Sequence, residues 1–339
     1  MNHSPFQLVM RLGYALACLS GALLLLGLFT GSLGFEINDW QDPILQDIRL
    51  PRTLGAWLAG ALLGLSGALA QGLFRNPLAD PYLLGSASGA TLGVTVALVL
   101  GLWGGAHLPA EASLAMQWIW RLGLTGCAFV GAWVAVLLTL LLAQGVQHTL
   151  RLLLAGAVVG VVLGAVTSLL MVAMPQVLPA MQAFTLGSTS MLSGASCLLM
   201  GLVLLVCWLF SWRLSPLLDG LSLGEATAQS LGLRVAPLRF LLLGVMALAT
   251  ATAVAQTGLI AFVGLVAPHL VRARVRATFA ATSVLSALAG GVLLCFADIM
   301  ARWVLAPQEL PVGVLTAILG GGYLLWRLQS PAMREGDAS

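Results

Sequence analysis

Fifteen arginines, twelve acidic side chains and four histidines are the groups in this 339-residue chain able to bind a phosphate, hold a metal or move a proton. The histidines, His3, His107, His148 and His269, are scattered, with no H-x-x-x-H or H-E-x-x-H spacing. No helix face therefore carries the paired ligands of a zinc site. No lysine is present. That removes Schiff-base chemistry and also the P-loop, whose G-x-x-x-x-G-K-[ST] pattern sets a lysine at the phosphates. Any ATP that drives this protein is hydrolysed on another chain. Acids are equally sparse where they would matter. Asp298 is the only one deep in an apolar run, with Arg302 one helical turn on as an i,i+4 partner. A proton-coupled carrier usually shows more such acids, and an intramembrane enzyme would need a polar constellation that is not found.

These few polar groups stand on a chain that is 60% hydrophobic and 8% charged. Several stretches of about 18 or more residues carry no charge, enough for a helix to cross the hydrocarbon layer. Low aromatic content and few alternating segments argue against a membrane barrel. Ten spans are expected, roughly 12–29, 53–74, 82–102, 119–142, 152–174, 196–212, 238–256, 259–271, 279–304 and 312–326, the eighth unusually short. The first follows Arg11 and is too long for a secretory signal core, so it reads as a retained span. Cys18, Cys127, Cys197, Cys207 and Cys295 are odd in number and fall in apolar segments, which favours packing over disulfides. With both termini inside, eleven arginines lie on the inner side and four, Arg49, Arg52, Arg121 and Arg302, on the outer side. The bias favours that orientation. Arg49 and Arg52 of "RLPR", together with Arg302, would offer an acidic protein partner a docking surface.

Three patterns point to transport. "SGALAQGLFRNPLADPYLLG" and "ATAVAQTGLIAFVGLVAPHL" each set an Ala-x-Ala-Gln (Gln71, Gln256) before a Pro-interrupted segment, five spans apart. An odd shift inverts the second copy, and inverted repeats with broken segments at matching places mark transporters. Gly156, Gly160, Gly164 and Ser168 recur every four residues in the fifth span, a face that another helix can approach closely. Between spans six and seven, "SLGEATAQSLGL" is polar and too short to cross. Ser222 with Glu225 forms a capping-box pattern, and Gly232 stands where the helix would stop. Leu223, Ala226 and Leu231 share one side of that helix, and Glu225, Ala228 and Gln229 another.

Taken in order and spacing, "RLPRTLGAWLAGALLGLSGALAQGLFRNPLADPYLLGSASGA", "GLIAFVGLVAPHLVR", "ADIMAR" and "ELPVGVLTAILGG" resemble the permease subunits of type II ABC importers, which carry iron–siderophores, haem and cobalamin. The resemblance runs from about Leu12 to Leu328. It implies an all-α polytopic membrane protein of about ten spans, one permease domain over 1–339 with repeat halves near 53–174 and 238–326. It further implies a homodimer with a path between subunits lined largely by spans five and ten, where Gly156, Gly160, Gly164, Ser168, Met171, Gly313 and Gly320 lie. The loop 213–237 would hold the coupling helix, with Ser222, Leu223, Gly224, Glu225, Ala228, Leu231 and Gly232 docking on one of two cytoplasmic ATPase subunits. ATP and Mg would be bound there, and this chain would hold no cofactor, no metal and no nucleic acid. Arg49, Arg52 and Arg302 match the outer arginines that engage the periplasmic substrate-binding protein. The resemblance places the chain in the bacterial inner membrane, surrounded by lipid. Phe184 stands where the family often has tryptophan, and "ARVRATFAAT" where it usually has an Asp-His-Arg stretch. An iron–siderophore or haem is the expected cargo, with cobalamin the alternative, and an ion-gradient carrier is the rival from another class.

Overall fold

The computed structural model describes residues 5–31, 34–35, 42–103, 114–143, 149–230, 232 and 235–329. Each expected span is met by a helix. They are α1 (Pro5–Phe29), α2 (Leu50–Phe74), α3 (Ser86–Trp103), α4 (Leu114–Leu142), α5 (Thr149–Ala173), α7 (Gly194–Ser222), α9 (Val235–Thr257), α10 (Val263–Arg274), α11 (Phe279–Trp303) and α12 (Val312–Gln329). Two short helices, α6 (Leu178–Leu186) and α8 (Glu225–Ser230), complete the order. Among the described residues, eight helices are long and apolar enough to cross a membrane. The other two are α12 and the 12-residue α10, which rises only about 18 Å and is preceded by the broken segment at Gly258 and Phe262. A two-residue strand pair, Thr30 opposite Phe35 and Gly31 opposite Gly34, closes the end of α1.

The bundle is built around α2. Its apolar window is 89% buried, against 22% for α1, α5 and α7, which form the periphery. Lipid is as apolar as leucine, so helices here associate by close backbone approach rather than by escaping water. The glycines show where. A Cβ on Gly60 would sit 2.3 Å from the Gly290 carbonyl oxygen, and one on Gly64 2.1 Å from that of Ser286, so α2 and α11 touch backbone to backbone. Gly89 and Gly93 of α3 meet Gly131 and Cys127 of α4 in the same way, at 2.3 and 2.1 Å. Pro268 inside α10 leaves the Gly264 carbonyl without its helical donor, and that oxygen lies against Gly67 of α2. Pro216 in α7 is offset locally: the Ser215 hydroxyl donates to the Trp212 carbonyl, 2.8 Å away, that the proline cannot reach.

The internal repeat is visible in the backbone. α2 ends at Arg75 (φ +52) and α9 at Gly258 (φ +71), both left-handed. A second left-handed residue, Gly85 (φ +77) or Phe262 (φ +68), precedes the next helix in each copy. The two broken segments meet, with the Tyr82 hydroxyl donating to the Ile260 carbonyl at 3.0 Å.

Candidate docking, coupling and pathway sites

Asp298 organises the rim where α2 begins and α11 ends. It is fully buried, and an ionised carboxylate there must be matched by charge and by hydrogen bonds. Arg302 donates to its Oδ2, Arg52 Nε to its Oδ1 at 3.1 Å, and the Thr189 hydroxyl also to Oδ1. Arg302 is itself held by the Gly27 and Thr30 carbonyls, 3.0 and 3.2 Å, and by Thr53 Oγ1 at 3.1 Å. Arg52 reaches outward with Nη1 to Glu309 Oε1, 2.8 Å. Arg49 is buried too, its guanidinium pressed on Gly31.

The three outer arginines lie at one rim, and Arg52 and Arg302 turn inward instead of standing free. Arg302 is only 2% exposed, because Asp298 draws its guanidinium and that of Arg52 inward. The Asp298–Arg302 pair was legible from its spacing. Arg52, Thr189 and Glu309 come from distant segments and carry no local signal of this contact. Arg52, bridging to a partly exposed Glu309, is the member of the group nearest an outside partner.

At the opposite end of the bundle α7 overshoots the hydrocarbon layer. Its 29 residues span about 43 Å, and its end carries α8. The capping box is corrected here. Ser222 is the last residue of α7, its hydroxyl donating to the Asp219 carbonyl at 2.6 Å, so it does not cap α8. Gly224 takes that place, left-handed at φ +113, with its carbonyl accepting from the Ala228 amide at 3.0 Å. Gly232, at φ +81, makes the expected stop. Ala228 is fully buried and seats α8 on its own subunit, whereas Leu223 is 68% exposed and is the apolar group presented outward. Leu231 lies outside the described residues, as do the side chains of Glu225, Ala226 and Gln229.

The glycine stripe of α5 changes character along its length. A Cβ on Gly156 would meet the Leu83 carbonyl oxygen at 2.0 Å, so this end packs internally. Gly160 has only Ser88 Oγ at 3.5 Å, and Gly164 has nothing within 4 Å. Ser168 is exposed, its hydroxyl donating to the Gly164 carbonyl at 3.0 Å. Half-buried Met171 packs on the core cluster that contains Val177 and Met181. On α12 the expectation is corrected: Gly313 and Gly320 face inward. A Cβ on Gly313 would lie 2.3 Å from the Leu186 carbonyl oxygen, and one on Gly320 2.3 Å from Phe262 Cβ. What α12 leaves open is Ile318, Leu319, Leu325 and Trp326. Behind it, a cavity of about 230 Å³ is walled by Phe262, Val266, Leu293, Phe296 and Tyr323. His269 sits late in α10 with its ring against Tyr323, centroids 5.8 Å apart.

The arrangement thus offers a buried charge cluster at one end, a helix seated beyond the bilayer at the other, and open apolar helix faces between them. Comparison with known proteins gives the family and the fold. The FecCD transport family matches residues 11–330. The hemin transport system permease protein HmuU of Yersinia pestis is 36% identical over 291 residues, 85% of this chain and 84% of that protein. The vitamin B12 import system permease protein BtuC of Escherichia coli O157:H7 is 37% identical over 322 residues, 92% and 94% of the two chains. Among solved structures, an inward-facing chain assigned to a metal-chelate type ABC transporter superposes with a TM-score of 0.80 at 30% identity, covering 94% of this chain and 99% of that one.

Proposed function

The chain belongs to the FecCD transport family, and from that premise we propose that it carries a metal chelate, an iron–siderophore or haem, inward across the bacterial inner membrane. It is a permease subunit of an ABC importer, with relatives that move hemin and vitamin B12. The observation that carries the finer reading is the pairing of a full-length match to a metal-chelate type transporter with a P-loop-free chain. In this reading two copies form the path, and α8 with exposed Leu223 sits on a cytoplasmic ATPase that binds ATP and Mg. Both termini lie in the cytoplasm. ATP binding and hydrolysis switch two packings of the bundle, each favoured by a different nucleotide state.

At the outer rim, an acidic residue of the periplasmic binding protein would exchange with Glu309 for Arg52, while Arg49 and Arg302 hold the rim in shape. Rim charges set encounter rate and salt dependence more than final affinity.

Cobalamin is the second reading, favoured by the 37% identity to the B12 permease over nearly the whole chain. One experiment separates these. The chain is reconstituted in liposomes with its ATPase and binding protein, and uptake of ferric siderophore, haem and cobalamin is measured with and without ATP. ATP-dependent uptake of an iron chelate is expected. Cobalamin uptake alone would establish the second reading, and uptake on an ion gradient without the ATPase would refute both.

A further inference from the structure

A second polar site lies at the end of α7 that leads to α8, with Ser222 on its edge. The ends of α2, α7 and α10 and the start of α11 enclose a cleft of about 530 Å³. Arg75, Arg272, Arg276, Gln71, Asp219 and Phe279 line it. Asp219 is the only acid among the lining residues, and one of its oxygens is already engaged, Oδ1 accepting from the Phe279 amide at 2.9 Å. Among the described residues, none of the three guanidinium groups makes a hydrogen bond or an ion pair with the protein. An anion in a cleft lined by three guanidinium groups would find several charged donors at once. Gln71 adds an independent sign. It is 1% exposed, and its Nε2 donates to the Leu265 carbonyl at 3.0 Å, which fixes the orientation of the amide. Its Oε1 accepts nothing from the protein.

We propose that this cleft binds a glycerol-phosphate group. Phosphate offers three arginine forks more acceptor oxygens than a carboxylate does, and arginine suits that planar, bidentate recognition. A neighbouring hydroxyl donates to Gln71 Oε1. Basic pockets between membrane helices on the cytoplasmic side hold anionic headgroups, and this one lies where the helices end, on the side of α8. The same chemistry is offered by phosphatidylglycerol and by soluble glycerol 3-phosphate. An acidic protein surface fits less well, since Gln71 at the floor is reached by a small headgroup and not by the side chains of a folded partner. The bound group would brace four helix ends next to the element that couples to the ATPase. That this end faces the cytoplasm rests on the function proposed above, whereas the test of binding involves no transport.

Purified full-length protein is placed in phosphatidylcholine nanodiscs, and unfolding is followed with a thiol-reactive dye that reports exposure of the buried Cys197, Cys207 and Cys295. Phosphatidylglycerol is titrated into the discs in one arm, and glycerol 3-phosphate into the buffer in the other. A saturable rise in apparent melting temperature of roughly 3–6 °C is expected at a large excess over Kd. Arg272→Gln with Arg276→Gln should abolish it, while Arg213→Gln, an exposed arginine outside the cleft, keeps it. Arg276→Gln alone, exposed and so harmless to the fold, should weaken the apparent affinity about tenfold. A shift with phosphatidylglycerol only makes the source a lipid, and an equal shift with glycerol 3-phosphate makes it a soluble anion. The proposal is overturned if neither ligand shifts the wild type, or if the Arg276 variant binds as the wild type does.

Discussion

Asp298 shows how much one buried charge decides. Its carboxylate is shared by Arg52, Arg302 and Thr189, which come from three different segments, so removing its charge leaves Arg302 without an acidic partner and Arg52 with Glu309 alone. Breaking a buried pair from one side costs about 3–5 kcal/mol, because the remaining charge has no counterpart. Asp298→Asn should therefore lower the apparent melting temperature sharply in detergent. Glu309→Gln touches only the outer, partly exposed end of the same network and should cost less than about 1 kcal/mol. The two thermal scans check this together, and equal losses would mean that the burial of Asp298 is not what makes it matter. The i,i+4 spacing put Asp298 beside Arg302 before any fold was known. Nothing local could announce Arg52, 246 residues away, or that the cluster would turn its cations inward. That outcome depends on where α2 and α11 cross.

Helices were the most legible level, because an apolar run of the right length has few alternatives in a bilayer. Which glycines matter was less legible. The regular stripe of α5 drew attention, yet the backbone contacts that define the bundle are Gly60 and Gly64 against Ser286 and Gly290. Small residues are so common in this chain that spacing alone does not choose among them. Gly60→Leu should prevent assembly, since even its Cβ meets a carbonyl oxygen at 2.3 Å and the whole of α11 would have to move. Gly164→Leu, with open space at its Cβ, should fold normally. The yield of monodisperse protein distinguishes them. The capping box failed for a related reason. Each residue added to α7 gains a backbone hydrogen bond, so the helix runs through Ser222 and leaves Gly224 to start α8. The faces of α8 follow from that start. Leu223→Asp should fold as the wild type but lose co-purification with the ATPase, whereas Ala228→Leu should disturb the loop itself. If Leu223→Asp retains the ATPase and its stimulated hydrolysis, exposed Leu223 is not the contact.

At the scale of the whole molecule, the proposed path between two copies asks which outer face of the bundle meets its partner. The buried interior is centred on α2 and filled by side chains, while α5 and α12 carry large apolar residues outward, Val161, Leu169, Ile318 and Trp326 among them. Exposed leucines alone do not separate a lipid face from a subunit interface, since α7 is as apolar and as peripheral. The difference lies in what accompanies them. On α5 the stripe opens at Gly164 and Ser168, two small residues one turn apart, so a second backbone can approach there, whereas on the outward face of α7 the open Gly201 stands between Leu198, Leu202 and Leu205. Closed two-fold symmetry sharpens this into a measurement. An isologous interface brings residues near the axis against their own copies, so a single cysteine suffices to join two subunits. A disulfide forms only when the Cα atoms come within about 7 Å, which limits the reaction to true neighbours. In a Cys18→Ser background, which removes the exposed native thiol, Gly164→Cys or Ser168→Cys should give covalent dimers on mild oxidation in native membranes. Leu198→Cys on α7 should remain monomeric. Joining the subunits should also stop ATP-driven uptake reversibly, with reduction restoring it, because a path between two bundles cannot alternate when its walls are tied. Dimers at 198 and none at 164 or 168 would move the interface to α7 and leave the α5 stripe as a lipid-facing surface.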